Sequence, residues 1–373
     1  MPNPTHIYVD IDATNDDTNP SSRPPNLNFE VTRNHPFLDG NAGNYYVTIS
    51  RFNIQTASTL PVFIPAIESN QNDVNKTVYK ISIVSTVGTV IKTMSINYVP
   101  SNLNTPVPTS PVTTQDYTSR YYYVNQYQDF INMINNTLKS LWEQQGLSGP
   151  ITQAAPFIEF DPEKYTCILN VERMSFKNDF YLYFNTRLMQ LFTGLPAIFE
   201  RYEGDLNYKI NIPINSNNTR VINVTYQGVN TPFTLTQVYQ ELSSVGLWNP
   251  VRAIVFTSNT LPIYPTQTSP PKLYNSQSTG MTGSGAPNIS NILSDFEIPI
   301  SSTNQYRPEI SYTPPGEYRL IDLFNNENLS KIDLNVWWRD KFNNLNAFLL
   351  QPGCSADIKL MFRSKRYYLG YDY

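Results

Sequence analysis

Hydrophobic and polar residues alternate along many short stretches of this sequence, and that period of two constrains the fold more than any other feature. The segments Asn44–Gln55 and Thr77–Ser85 both alternate in this way. Because successive side chains of a β-strand point to opposite faces, each segment predicts a half-buried strand. Val87-Gly88-Thr89 is a predicted turn after the second segment, and Val90–Tyr98 is the predicted hairpin partner.

Further strands are predicted through the rest of the chain. They cover residues 157–160, 165–171, 179–184, 207–214, 220–226, 251–257, 296–300, 317–323 and 356–362. The clearest hairpin joins Lys331–Asp340 to Asn346–Leu350 through residues 341–345. The 29 prolines are spread along the chain, which suits short strands connected by irregular loops. The chain is therefore expected to be mainly β.

One long segment has helical periodicity instead. Val124–Gln145 carries apolar residues three or four positions apart, which predicts an amphipathic helix, and Gly146 is its predicted end. A second, shorter helix is predicted over Asn185–Phe192. Strands therefore come first, a helix-containing block follows, and strands return. This order indicates a β-sandwich whose first and last parts pair with each other around a smaller inserted α/β segment.

The expected domain boundaries follow from that order. Residues 1–28 hold many Pro, Asn and Asp and few large hydrophobic residues, so we expect an extended N-terminal arm, either ordered on a neighbouring subunit or disordered. Residues 29–110 are expected to form the first part of the sandwich. Residues 111–206 are the expected insertion, and residues 207–373 are the expected second part.

The sequence offers few residues for catalysis. Its only histidines are His6 and His35, and its only cysteines are Cys167 and Cys354, so no Ser-His-Asp or Cys-His arrangement and no zinc cluster is expected. Paired carboxylates remain a possible route, because a glycosidase needs only two. The candidates for such a pair are Glu159, Asp161, Glu163, Asp322 and Asp333. We nevertheless expect no catalytic residue, because acidic residues are common on strand surfaces.

Metal and cofactor sites are not expected either. The acidic residues near the N-terminus lack the spacing of a calcium-binding EF-hand loop. They are Asp10, Asp12, Asp16 and Asp17. The sequence also lacks a glycine-rich phosphate loop and a dinucleotide fingerprint. We therefore expect no metal, no cofactor and no small-molecule substrate.

The charge balance bears on partners. The net charge is −4, which gives no electrostatic reason to expect a nucleic-acid partner. The basic and aromatic cluster from Arg363 to Tyr368 could contact nucleic acid, but we interpret it as a polar tail that closes the last strand or contacts a neighbouring acidic surface. No apolar run reaches about 18 residues, so no membrane span is expected. The first residues lack a basic region followed by an apolar stretch, so we do not expect secretion through a signal peptide.

Aromatic composition points to assembly. The chain has 26 Tyr, and Tyr and Trp are favoured at protein interfaces because each carries a polar group on an apolar ring. We expect interface residues among Trp337, Trp338, Tyr367 and Tyr368. Alternation along the strand places the two tryptophans on opposite faces, and it leaves open which of them is buried.

Three segments carry a resemblance to a known family. They are YYYVNQYQDFINMINNTL (121–138), FYLYFNTRLMQLFTGLP (180–196), and EYRLIDLF (317–324) together with LNVWWRDKFNNLNAFLLQPGCSADIKLMF (334–362). The chain resembles the penton, or minor capsid, proteins of virophages and polinton-like viruses. The resemblance implies a single jelly roll with an inserted domain, so residues 29–110 and 207–373 would be the two parts of that jelly roll.

The resemblance also implies a function. Such proteins assemble as pentamers at the icosahedral vertices, beside trimeric major capsid proteins. The chain is therefore expected to be a structural, non-enzymatic protein of the virion, made in the host cytoplasm. The alternative is a viral attachment module, in which a Tyr- and Asn-rich sandwich surface binds glycans.

Overall fold

A computed structural model gives the fold. It describes the chain apart from residues 1–4, 19–23, 39–40, 57–58, 87–89, 102–104, 113–118, 145–153, 174–175, 177–178, 202–203, 205, 214–216, 227–228, 265–271, 275–290, 299–307, 314–318, 325–326, 342–343 and 366–373.

Strands are the main secondary structure of the described residues, and nearly all of them pair antiparallel. In chain order the strands are β1 (His6–Thr14), β2 (Asn28–Thr32), β3 (Tyr45–Gln55), β4 (Lys76–Ser85), β5 (Val90–Asn97), β6 (Phe157–Asp161), β7 (Thr166–Glu172), β8 (Phe180–Asn185), β9 (Ala197–Phe199), β10 (Leu206–Ile210), β11 (Thr219–Tyr226), β12 (Val229–Tyr239), β13 (Val251–Ser258), β14 (Lys272–Tyr274), β15 (Asn291–Glu297), β16 (Glu309–Tyr312), β17 (Ile321–Asp322), β18 (Lys331–Asp340), β19 (Asn344–Ala347) and β20 (Ser355–Ser364). The helices are α1 (Tyr127–Trp142), α2 (Thr186–Leu191) and α3 (Val245–Trp248).

The chain divides into two compact units. The first contains residues 1–60, 251–300 and 304–373, and the second contains residues 61–250 with 301–303. The second unit is therefore an insertion between β3 and β13 of the first. We call the first the sandwich unit and the second the inserted unit.

The sandwich unit has the strand order of a jelly roll. One sheet has the order β1-β20-β3-β16, with β17 also paired to β3. The other contains β2, β18, β13 and β15 as successive neighbours, and β19 and β14 extend it beside β18. Eight main strands can be numbered one to eight along the chain: β1, β2, β3, β13, β15, β16, β18 and β20. The first sheet then has the order one, eight, three, six, and the second sheet has the order two, seven, four, five. This interleaving of early and late strands is the double Greek key of a jelly roll, so the predicted fold is confirmed.

An aromatic cluster joins the two sheets of the sandwich unit. The ring of Phe52 on β3 lies 5.2 Å from that of Phe256 on β13 and 4.9 Å from that of Phe296 on β15 (centroid distances). Phe296 in turn contacts Tyr312 on β16, at 4.3 Å. Because β3 and β16 belong to one sheet and β13 and β15 to the other, these rings fill the space between the sheets.

The inserted unit has two antiparallel sheets and one long helix. The strand orders are β5-β4-β8-β10-β9 and β11-β12-β7-β6. Helix α1 packs against β4, β5 and β6. Its predicted apolar stripe is buried, and Phe130 contacts Phe63 with ring centroids 4.3 Å apart. The side chain of Asn185 caps α2 by accepting a hydrogen bond from the amide of Leu188 at 3.0 Å.

The two units do not follow the boundaries expected from the sequence. The expected insertion was 111–206, whereas the inserted unit spans residues 61–250. Strands β4 and β5, expected in the sandwich, belong to a sheet of the inserted unit, in which β4 pairs with β8 and β5 pairs with β4. Alternation identifies a strand but not the sheet it joins, because pairing depends on contacts far away in sequence. Residues 6–14, expected in an extended arm, form β1 and pair along their whole length with β20.

Candidate assembly surfaces

The two adjacent tryptophans of β18 have different environments. Trp338 faces the interior of the sandwich unit and is 1% exposed. It lies opposite Ile254 of β13 in the sheet. Trp338 is therefore a core residue, and the prediction that places it in an interface is corrected for this side chain.

Trp337 lies on the opposite face of the same strand and is partly buried. It packs against a small apolar cluster that includes Val255 and Leu345. Its indole Nε1 donates a hydrogen bond to Thr257 Oγ1 at 2.9 Å. The ring is thus held in place while part of it remains accessible. Tyr367 and Tyr368 lie outside the described residues.

The sandwich unit exposes an aromatic pair that sequence reasoning missed. Tyr264 is 63% exposed and Phe324 is 40% exposed, with ring centroids 4.3 Å apart. Ile263 and Leu323, the residues just before them, are buried and form a β-bridge. Because side chains alternate along extended backbone, burying these two directs both aromatic rings outward. The signal was present in the sequence as an apolar residue followed directly by an aromatic one.

An ion pair lies two residues from Phe324 along the chain. Lys365 forms an ion pair with Asp322 at 2.7 Å, and its Nζ lies 5.2 Å from the ring centroid of Tyr46. We call Tyr46, Tyr264 and Phe324 the aromatic patch. Exposed aromatic rings beside charged groups match the composition of interface centres and their rims.

Strand β1 provides a second surface at the opposite edge of the same sheet. Among the described residues β20 is the only strand that pairs with β1, so the outer side of β1 from Tyr8 to Thr14 has no strand partner there. The amide of Asn15 donates to Cys354 and the carbonyl of Thr5 accepts from Ser364, so odd-numbered residues face β20. The backbone groups of the even-numbered residues from 6 to 14 therefore point outward. We call this side the β1 edge, and an unpaired strand edge is a site for contact with another chain.

Charged and aromatic groups line the β1 edge. Tyr8 is exposed and stacks on His6 with ring centroids 6.4 Å apart. Asp10 forms an ion pair with Lys359 of β20 at 2.9 Å. Asp12, the next residue on the same face of the strand, is also exposed. Such charges oppose unspecific edge-to-edge pairing, so a partner at this edge must complement them.

The inserted unit has an exposed aromatic residue of its own. Phe199 on the edge strand β9 is 56% exposed and contacts Tyr208 with ring centroids 5.2 Å apart. The neighbouring Ile198 is also exposed. On β8 the ring of Tyr181 lies 3.7 Å from the ammonium group of Lys209. These residues form a smaller apolar surface at one edge of the five-stranded sheet.

Three of the candidate catalytic carboxylates have structural partners. Glu159 forms an ion pair with Arg220 at 2.8 Å, and Asp322 is bound by Lys365. Asp161 accepts hydrogen bonds from the backbone amides of Glu163 and Lys164, at 2.9 and 3.2 Å. These are the contacts of surface ion pairs and a turn.

Asp333 is buried and fully engaged. Its carboxylate accepts hydrogen bonds from Ser258 Oγ at 2.7 Å, from Thr260 Oγ1 at 2.7 Å and from the amides of Asn259 and Thr260, each at 2.8 Å. Burial raises the pKa of this carboxyl, but the hydrogen bonds from Ser258, Thr260 and Asn259 outweigh burial and hold it below its ordinary value. A charged carboxylate surrounded by donors stabilises the loop after β13.

In the part of the chain that the structure describes, no helix is both long and apolar enough to cross a membrane.

Comparison with known proteins identifies the family. The family model described as Sputnik minor capsid protein V18/19 matches residues 7–364. Structural protein V19 of Sputnik virophage is 32% identical over 129 residues, which is 35% of this chain and 56% of V19. Uncharacterized protein V18 of the same virophage is 30% identical over 134 residues, which is 35% of this chain and 77% of V18. The chain thus spans about half the length of V19.

Solved structures share the fold over nearly the whole chain. A chain of the Sputnik virophage cryo-EM structure superposes with a TM-score of 0.77 and 24% identity, covering 98% of this chain and 99% of that one. The mavirus penton protein crystal structure superposes with a TM-score of 0.61 and 16% identity, covering 96% and 99%. The match of the family model to almost the entire chain decides the assignment. The chain belongs to the Sputnik minor capsid protein V18/19 family, and it is a structural protein of the virion capsid.

Proposed function

We propose that the protein forms pentameric capsomers at the icosahedral vertices of a virion, beside a major capsid protein. The observation that carries this proposal is the shared fold with the mavirus penton protein over 96% of the chain. The protein acts in assembly and not in catalysis, binds no cofactor, and is made in the host cytoplasm.

The surfaces of the sandwich unit support a closed ring. Rotational symmetry of order five requires head-to-tail contacts, in which two different surfaces of each subunit complement each other. The β1 edge and the aromatic patch lie at opposite edges of one sheet, since β1 flanks β20 and β17 flanks the far side of β3. In the proposed ring, the β1 edge of one subunit meets the aromatic patch of the next. Trp337, Tyr367 and Tyr368 remain proposed contributors to contacts between subunits.

Mass measurement by light scattering over a concentration series tests the proposal. We expect a mass near five subunits for the unmodified protein. The double substitution Tyr264→Ser and Phe324→Ser is expected to shift the population toward monomer, because it removes two exposed rings from the proposed contact. Leu247→Ser, which alters an exposed apolar residue of the inserted unit, is the matched control and should assemble normally. A protein that stays monomeric with and without major capsid protein would contradict the proposal.

A further inference from the structure

A polar groove opens on the inserted unit beside the start of α2. Its volume is about 440 Å³. The residues that line it are Glu68, Ser69, Gln71, Val78, Lys80, Asn185, Thr186, Arg187 and Asn207. Only Val78 in this set is apolar. The volume falls in the range of small-molecule sites, while the lining is more polar than such sites usually are.

The floor of the groove is held rigidly. The side chain of Asn185 is 4% exposed, and its Oδ1 accepts hydrogen bonds from the amides of Lys80 and Leu188, at 3.1 and 3.0 Å. Its Nδ2 donates to the carbonyl of Val78 at 2.9 Å. The Nδ2 of Asn207 donates to Thr186 Oγ1 at 2.7 Å. The bonds of Asn185 tie β4 to the start of α2, so the backbone that carries Lys80 and Arg187 is held in place before a ligand arrives.

The groove carries more positive than negative charge. Glu68 and Lys80 face each other, with Oε1 and Nζ 3.6 Å apart. Arg187 is exposed and forms no ion pair with the residues that the structure describes. The groove therefore carries one uncompensated guanidinium, together with a carboxylate that already has a partner.

This pattern of groups selects a class of ligand. We propose that the groove binds a sugar that carries a carboxylate, as at the end of an acidic glycan. The guanidinium of Arg187 can hold a carboxylate with two parallel hydrogen bonds. The hydroxyl of Ser69 and the amides of Gln71 and Asn207 can both donate and accept, which matches the hydroxyl groups of a sugar. Glu68 can accept from those hydroxyls.

Glu68 also argues against a phosphate group as the ligand. A phosphate near this carboxylate would place two negative charges close together, and like charges disfavour one another in a partly desolvated site. A sugar acid carries a single negative charge, which can lie at Arg187 while the hydroxyl groups of the ring face Glu68. Such binding would be independent of ring assembly, so it can fail without affecting the proposed capsid role.

Saturation-transfer NMR on the full-length protein tests the assignment, with N-acetylneuraminic acid and glucuronic acid as probes and N-acetylglucosamine as the neutral comparison. We expect signal from at least one acidic sugar and none from the neutral one. Arg187→Gln should weaken binding of that acidic sugar about tenfold or more, the effect expected from losing charge-assisted hydrogen bonds. Arg220→Gln is the matched control, because Arg220 is an exposed arginine of the same unit paired with Glu159.

Three results would overturn the assignment. One is the absence of transfer from both acidic sugars at millimolar concentration. The second is equal binding by the Arg187→Gln variant and the unmodified protein. The third is displacement of the sugar by inorganic phosphate at equal concentration, which would show that the groove recognises negative charge and not a sugar. Light scattering on the same samples measures whether the ring assembles, so a loss of sugar binding can be told apart from a loss of assembly.

Discussion

The hydroxyl of Thr260 accepts a hydrogen bond from the backbone amide of Asp333 at 2.8 Å and donates one to the carboxylate of the same residue at 2.7 Å. This closed pair of bonds ties the loop after β13 to the start of β18. Asn335 Nδ2 and Asn259 Nδ2 donate to the other carboxylate oxygen, each at 3.2 Å. A single buried anion thus fixes the end of one strand to its neighbour in the second sheet of the jelly roll.

Replacing this anion should destabilise the sandwich unit. Asp333→Asn keeps the size of the side chain but turns one acceptor into a donor that faces other donors. We expect the free energy of unfolding to fall by about 2–4 kcal/mol, as for other losses of buried charge-assisted hydrogen bonds. Urea unfolding followed by fluorescence measures the change. Asp12→Asn, at an exposed position, is the control and should stay within about 0.5 kcal/mol of the unmodified protein.

The same carboxyl predicts a dependence of stability on pH. Because the pKa of Asp333 is lowered in the folded protein, its stabilising contribution is present above the ordinary value of 3.8 and is lost as the pH falls through the lower folded value. The difference in unfolding free energy between the unmodified protein and Asp333→Asn should therefore narrow in acid. Urea midpoints measured for both proteins from pH 6 down to the acid limit of folding check this. A difference that stays constant into the acid range would contradict the assigned role.

The two tryptophans of β18 should respond differently to truncation. Trp338→Ala removes a buried indole and should lower the free energy of unfolding by about 3–5 kcal/mol. Trp337→Ala removes a partly exposed indole and its hydrogen bond to Thr257, so we expect a loss of only about 1–2 kcal/mol. Urea unfolding of both variants decides the order. Equal losses would mean that the two faces of β18 are equally buried, contrary to the structure.

Both cysteine thiols should react slowly in the folded protein. Burial raises the pKa of the Cys167 thiol to about 12, and burial also raises the pKa of Cys354. The thiolate is the reactive form, so a disulfide reagent at pH 8 should modify neither residue quickly. After unfolding in guanidinium, two thiols per chain should react at the rate of a free cysteine. Rapid reaction of the native protein would show that one of these sites is open to solvent.

The sequence predicted individual elements better than their arrangement. The apolar stripe of α1 and the alternation of β3, β4 and β20 depend on local patterns, and each element lies within a few residues of its expected position. Hydrophobic and polar residues alternate equally well along residues 6–14, but their partner strand β20 lies more than 300 residues away in the sequence. The composition of this segment therefore led to the expectation of an extended arm. Strand β12 was not predicted, because its many threonines obscure the apolar residues Phe233 and Leu235.

Only part of the assembly surfaces could be predicted from the sequence. Alternation placed Trp337 and Trp338 on opposite faces, but only the position of β13 and the second sheet shows that Trp338 is the internal one. The aromatic patch combines Tyr46, Tyr264 and Phe324 from three separate segments. Their proximity depends on the bridge between Ile263 and Leu323 and on the pairing of β17 with β3, neither of which has a local sequence signal.

The position of the inserted unit has a consequence for how such proteins can diverge. All of residues 61–250 lie in the single connection between β3 and β13, that is, between the third and fourth main strands of the jelly roll. Lengthening, shortening or exchanging that connection leaves the pairing of every other strand in the sandwich unit unchanged. Natural variation can therefore act on the insertion and on the jelly roll at different rates, so relatives with a similar capsid lattice can carry unrelated insertions.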